Sequence, residues 1–172
     1  MKKLSYGVIG FGPVGRVVAA HLAQADHRVC VLTHRASDID LITSSPLVIK
    51  GKATARAHMP YCYSELADFI HARPDVIYIC TKSTDSRALL EAIAALNPPE
   101  ETLFVSCQNG LDVEEQIKEV FGRKRALRQV LNMGCCMSGP NEVTVNFFMQ
   151  HYISDLPFGA AYAQQIANDL TQ

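Results

Sequence analysis

Gly10-Phe11-Gly12-Pro13-Val14-Gly15 sets a GxGxxG pattern between two stretches of different hydrophobic period. Before it, residues 4–9 are mostly apolar, which predicts a buried strand. After it, Val14, Val17, Val18 and Leu22 recur at three- and four-residue spacing, which predicts a helix with one buried face. Pro13 suits the first helical turn, where its missing N–H is not needed. A second strand is predicted over residues 28–32, so the first 32 residues form a βαβ unit with a glycine-rich first turn. Each glycine then has a physical task. Gly10 allows the tight turn, Gly12 lets the backbone approach a pyrophosphate, and Gly15 lets helix and strand pack closely. The helix start offers free N–H groups and a positive dipole end. The stretch therefore predicts dinucleotide binding through Gly10, Phe11, Gly12, Pro13, Val14 and Gly15.

The alternation continues outward. Residues 75–80 and 102–106 predict further buried strands. Between them a helix presents Leu89, Ile93 and Leu96 before Pro98-Pro99 ends it. Asp112, with Glu115 three residues later, gives a capping-box-like start to a helix ending near Gly122. Ser64 is a candidate cap for a short helix carrying Leu66, Phe69 and Ile70, and residues 47–57 alternate only weakly, as short strands or a loop excursion. Residues 126–133 and 143–149 predict two further strands around a turn at Ser138-Gly139-Pro140-Asn141, and residues 156–170 predict an alanine-rich final helix. The fold class is α/β: a Rossmann-type doubly wound, mostly parallel sheet flanked by helices, with residues 1–172 as a single dinucleotide-binding domain.

Ligands of such sheets bind beyond the carboxyl ends of the strands, so polar residues directly after strands are site candidates. The second strand runs into Thr33-His34-Arg35, with no carboxylate until Asp38. A carboxylate there would take both ribose hydroxyls of NAD. Arg35 or His34 can instead meet a 2′-phosphate with charge, which favours NADPH; Arg35 pointing into solvent is the plainer alternative. Lys82 follows the residue 75–80 strand, where an ammonium can hold a substrate carboxylate or a cofactor hydroxyl, or simply face water. Asn109 follows the residue 102–106 strand. Its amide can both donate to and accept from a ribose or substrate, although Asn109-Gly110 is also a common turn signal.

Bulk properties narrow the partners. The 172 residues carry a formal net charge of −1, with 48% hydrophobic and 19% charged residues. Such a chain has a real core and no field to draw in nucleic acid or an anionic membrane. Arg123-Lys124-Arg125 reads as a solvated loop. The six cysteines show no CxxC pair and no zinc-type spacing, so no metal site is expected. Cys135-Cys136 reads as two buried thiols, and reduced cysteines fit the cytoplasm. The start of the chain superficially resembles a signal peptide, but three glycines, Pro13 and Arg16 interrupt it. A soluble, cytoplasmic protein is expected.

Taken together, these features resemble ketopantoate reductases (2-dehydropantoate 2-reductases). The resemblance lies in the N-terminal GxGxxG, Cys80-Thr81-Lys82, Gln108-Asn109-Gly110-Leu111 with Glu114-Glu115, then Asn132-Met133-Gly134 and Gly139-Pro140 with Val143. It covers only that family's N-terminal cofactor domain. It implies NADPH-dependent reduction of a 2-oxo acid, typically ketopantoate, on the way to pantothenate and coenzyme A. It also implies Lys82 and Asn109 near the nicotinamide and the substrate, and His34 or Arg35 at the 2′-phosphate. Members continue into a helical domain carrying the general-acid lysine. Residues 156–172 then read as the lead-in helix of a shortened chain, no catalytic residue is assigned, and cofactor binding without useful turnover is expected. A final-helix face of Phe158, Tyr162 and Ile166 left uncovered would favour self-association. Two other readings stand beside this one: a non-catalytic dinucleotide-sensing module, and the cofactor domain of a 3-hydroxyacid-type NADP dehydrogenase, which shares the first βαβ unit but lacks the Gln-Asn-Gly feature.

Overall fold

The computed structural model describes residues 3–110, 113–154 and 160–171. The glycine turn joins β1 (Ser5–Ile9) to α1 (Pro13–Gln24), and α1 returns the chain to β2 (Arg28–Leu32), paired in parallel with β1 from Ser5–Arg28 to Ile9–Leu32. The chain then runs through α2 (Ile39–Ser44), β3 (Leu47–Gly51), β4 (Ala55–Ala57), β5 (Tyr61–Tyr63) and α3 (Leu66–His71). Next come β6 (Val76–Ile79), α4 (Ser86–Ala95), β7 (Leu103–Ser106), α5 (Val113–Phe121) and β8 (Ala126–Val130). The last elements are β9 (Met133–Gly139), β10 (Glu142–Phe148), β11 (Tyr152–Ile153) and α6 (Ala160–Thr171).

The described residues build two sheets. In the larger, β5, β2, β1, β6, β7 and β8 lie side by side, all parallel, and β11 closes the β8 edge antiparallel. Counted along the chain, the parallel strands stand in the order 3-2-1-4-5-6, the doubly wound arrangement of dinucleotide-binding folds. Helices cover both faces of such a sheet, which explains why all four residues of β6 are buried. The expected α/β fold with a mostly parallel sheet is the observed one.

The smaller sheet, in the order β4-β3-β10-β9, was not anticipated as a unit. It packs on the side of α1 away from the parallel sheet, so α1 is enclosed from both sides and buries Arg16, Val17, Val18, Ala19, Ala20 and Leu22 instead of one narrow stripe. The predicted strand over residues 126–133 is in fact divided. β8 stops at Val130, and the chain crosses to the smaller sheet at Met133. Cys135 and Cys136 are therefore strand neighbours that face opposite sides, and Cys136 is exposed, not buried as expected.

Other local expectations are also corrected. The residue capping α3 is Glu65, with no side-chain cap bond, so Ser64 does not cap it. Arg125 is not a solvated loop residue. Its guanidinium donates to the carbonyls of Thr102 (2.9 Å) and Pro99 (2.8 Å) and lies over the Phe104 ring. Asp112 falls outside the described residues, and α5 ends at Phe121, just before Gly122, whose φ of +86° favours glycine. On α6, Ile166 is fully buried in the core and not on an open face, while Phe158 and the side chain of Tyr162 fall outside the described residues. Asp169 fastens α6 to the sheet by accepting the Tyr6 hydroxyl, with His27 Nε2 at 3.5 Å.

Candidate functional site

The strand order reverses between β1 and β6, and there the carboxyl ends of β1, β2 and β6 open into a cleft of about 700 Å³. That size falls within the usual range for a small-molecule or cofactor site. Its walls bring together Gly10, Phe11 and Gly12 from the first turn, Thr33, His34 and Asp38 from beyond β2, and Cys80, Thr81 and Lys82 from beyond β6.

The three glycines of the turn serve different ends. Gly10 has φ +93°, and a Cβ there would lie 2.7 Å from the Thr81 nitrogen. A Cβ on Gly15 would lie 2.2 Å from the Gly10 carbonyl oxygen, so this glycine is what lets α1 sit against β1. Gly12 is unlike both. Its φ of −79° is open to any residue, and a Cβ there would meet nothing within 4 Å. The fold itself needs no glycine at 12, and the backbone there is open to close approach. Gly12 is also the N-cap of α1, and the first helical bond runs from the Arg16 N–H to the Gly12 carbonyl at 2.9 Å. The N–H groups of Val14 and Gly15 thus lack intrahelical acceptors and remain available to an anion. This cradle fits a dinucleotide pyrophosphate.

At the β2 end, Thr33 is buried, its N–H donating to the Tyr63 carbonyl at 2.9 Å. His34 stands on the cleft wall, whereas the exposed Arg35 lies outside that lining. Asp38, which the sequence spacing set aside, does reach the wall. A tight turn over Ala36–Asp38, closed by the Asp38 N–H donating to the Arg35 carbonyl at 3.0 Å, folds it back.

Lys82 is an exposed residue of the cleft, and Asn109 is exposed on the neighbouring loop outside the lining. The residue joining these loops is Gln108. It is buried, and its Nε2 donates to Ser86 Oγ (2.6 Å) and to the Thr81 carbonyl (3.0 Å). Its Oε1 accepts from the Ser106 hydroxyl at 3.3 Å. On the far side, Arg128 donates to the Gly110 carbonyl at 2.6 Å and pairs with Glu114 at 3.3 Å. Gln108 was read only as part of a motif; a polar amide directly after an apolar strand was the available signal. Gln108→Ala should lower stability by about 1–3 kcal/mol, because Ser86 and Thr81 lose a buried partner. A urea midpoint unchanged from the parent protein would show that the two loops hold without it.

Beside these groups, burial and the neighbouring Cys80 push the Cys107 thiol well above its ordinary range, so it stays protonated and inert. Among the described residues no group of three or more His, Cys, Asp or Glu side chains could hold a metal ion.

Comparison with known proteins places this geometry. The family model described as ketopantoate reductase PanE/ApbA matches residues 6–157. The chain belongs to the ketopantoate reductase family. A 2-dehydropantoate 2-reductase of Pyrococcus horikoshii is 30% identical over 116 residues, which cover 67% of this chain and 36% of the relative. Among solved structures, the PanE/ApbA family ketopantoate reductase of Ralstonia eutropha JMP134 superposes with a TM-score of 0.81 at 20% identity, covering 97% of this chain and 54% of that one. The 2-dehydropantoate 2-reductase of Geobacter metallireducens GS-15 gives a TM-score of 0.82 at 19% identity, covering 98% and 56%. A D-mandelate dehydrogenase solved with NADH and anilino(oxo)acetate gives 0.75 at 20%, covering 98% and 54%. This ketopantoate reductase family chain thus spans about a third of that curated relative and about half of each of these solved chains. Among its described residues no helix is long and apolar enough to cross a membrane.

Proposed function

We propose that this chain is the cofactor half of an NADPH-dependent reductase of small 2-oxo acids, with ketopantoate as the reference substrate. The observation that carries the reading is the open space at Gly12, next to free helix-terminal N–H groups and inside a cleft shared with Lys82. Gly10 to Gly15 would hold the pyrophosphate. Lys82 and Asn109 would fix the nicotinamide ribose and the substrate carboxylate by charge and by a paired donor and acceptor. When bound, NADPH would supply the hydride that reduces the substrate carbonyl at C2. A proton must also reach the alkoxide, and a positioned acid typically contributes about 10²–10⁴-fold. None of the residues proposed for this site is assigned that role, so the chain alone is proposed to bind without useful turnover. Six free thiols suit the reducing cytoplasm.

His34 on the wall and Arg35 beside it support NADPH, since both can face a 2′-phosphate. The specific observation favouring NADH is Asp38 on the same wall, a carboxylate able to take ribose hydroxyls and to repel a phosphate. Titrating NADPH and NADH in parallel decides between them. The proposal expects NADPH to bind more tightly and Arg35→Ala with His34→Ala to erase the preference. An NADH preference that Asp38→Ala reverses would support the second reading. Lys82→Ala should weaken 2-oxo acid binding to the NADPH-loaded protein by about tenfold or more. Unaltered oxo acid affinity would remove Lys82 from the substrate site and favour a nucleotide-sensing module.

A further inference from the structure

Arg16 follows the last glycine of the turn and is only 6% exposed. Burying a guanidinium is costly unless its donors find acceptors, and an aliphatic side chain could fill the space between α1 and the smaller sheet without that cost. The donors of Arg16 go to two loops. Nε donates to the Phe11 carbonyl at 3.1 Å, and the guanidinium lies 4.4 Å from the centre of the Phe11 ring. One side chain thus holds Phe11 by both its backbone and its ring. Phe11 stands between the two glycines of the cleft wall, which have no side chains by which the turn could be held. From the other side, Nη1 of Arg16 donates to Oδ1 of Asn141 in the β9–β10 turn, and Asn141 Nδ2 donates to the Ser45 carbonyl at 2.9 Å.

We propose that Arg16 is a positioning residue for nucleotide binding: it clamps Phe11 so that the glycine turn keeps its phosphate-facing shape, and Asn141 holds the clamp from the smaller sheet. This gives the smaller sheet a task at the cleft although none of its strands lines it. The inference rests on the nucleotide-binding reading of the cleft.

Calorimetric titration of NADPH and of ADP, with thermal melting of the unliganded proteins, tests it. Arg16→Met should weaken both nucleotides by a similar factor, about 10- to 100-fold, because both present a pyrophosphate to the same turn. Asn141→Leu removes the acceptor and should cost about tenfold. Asn141→Asp keeps an oxygen for Arg16, now charged, and sets its second oxygen against the Ser45 carbonyl in place of the donor. It should melt earlier yet bind within about threefold of the parent protein. If Arg16→Met does not fold, the two Asn141 variants decide alone. Binding by Arg16→Met within about twofold of the parent would overturn the proposal. So would an Asn141→Asp loss as large as that of Asn141→Leu, which would assign the effect to packing of the smaller sheet. A parent protein that binds neither nucleotide would instead overturn the cleft reading itself, and the clamp with it.

Discussion

Gly12→Asp is expected to abolish nucleotide binding while leaving the folded state as stable as before, or slightly more so. The position is an N-cap with φ −79° and ψ −170°, a conformation any residue adopts. Aspartate is among the preferred residues there, since its carboxylate can accept the free N–H groups of the first turn. Nothing lies within 4 Å of a Cβ at this site, so the fold loses no contact. The bound state is different. A carboxylate would occupy the ground where a pyrophosphate should sit and would take over the N–H groups meant for it. Two unit charges about 4 Å apart near a protein surface repel by about 4 kcal/mol. That corresponds to roughly three decades of affinity. Gly12→Ala, which adds bulk without charge, should lose about tenfold. Thermal melting paired with nucleotide titration reads both halves. A Gly12→Asp protein that binds as the parent does would remove the turn from the site.

Gly15→Val is expected to do the reverse and damage the fold first. The added Cβ would sit 2.2 Å from the Gly10 carbonyl oxygen and 3.2 Å from Val8 Cγ1, and the first contact is backbone. Neither α1 nor β1 can retreat easily, because α1 is held between two sheets and β1 is central in the larger. Overpacking of this kind costs about 1–3 kcal/mol, and backbone that cannot yield puts this site at the upper end. For a chain of this size, about 3 kcal/mol lowers the melting temperature by roughly 6–12 °C. Binding should fall as well, because separating α1 from β1 reshapes the turn. A melting temperature within about 2 °C of the parent would show that α1 and β1 tolerate a side chain between them, contrary to this account.

These two glycines also mark how far the sequence could be read. The strand, turn and helix around them are local, with the switch from an apolar run to three- and four-residue spacing visible over about twenty positions. Buried parallel strands such as Val76–Ile79 are nearly continuous apolar runs, so β1, β2, β6, β7 and β8 of the larger sheet were legible as well, whereas its short outer strands Tyr61–Tyr63 and Tyr152–Ile153 were not. The smaller sheet was not. β3 pairs with β10 from a distant part of the chain, and β9 carries Gly134, Cys135, Cys136 and Ser138 where a clean apolar alternation would be needed. The site divides the same way. His34 and Lys82, which follow strands β2 and β6, stand on the cleft wall as the strand-end rule expects, whereas Arg35 and Asn109, picked out by the same rule, lie outside that lining. Asp38 was passed over because a tight turn, invisible in hydrophobic pattern, returns it to the wall. Gln108 and Arg16 act through partners on other loops, and no local spacing announces such bonds.

Calorimetric titration of the unmodified protein with NADPH is the most direct test of the central claim, that the cleft at the β1–β6 reversal holds a nicotinamide dinucleotide. Saturable heat with one nucleotide per chain, lost in Gly12→Asp at an unchanged melting temperature, is the predicted result. No heat with either NADPH or NADH from a properly folded sample would contradict it.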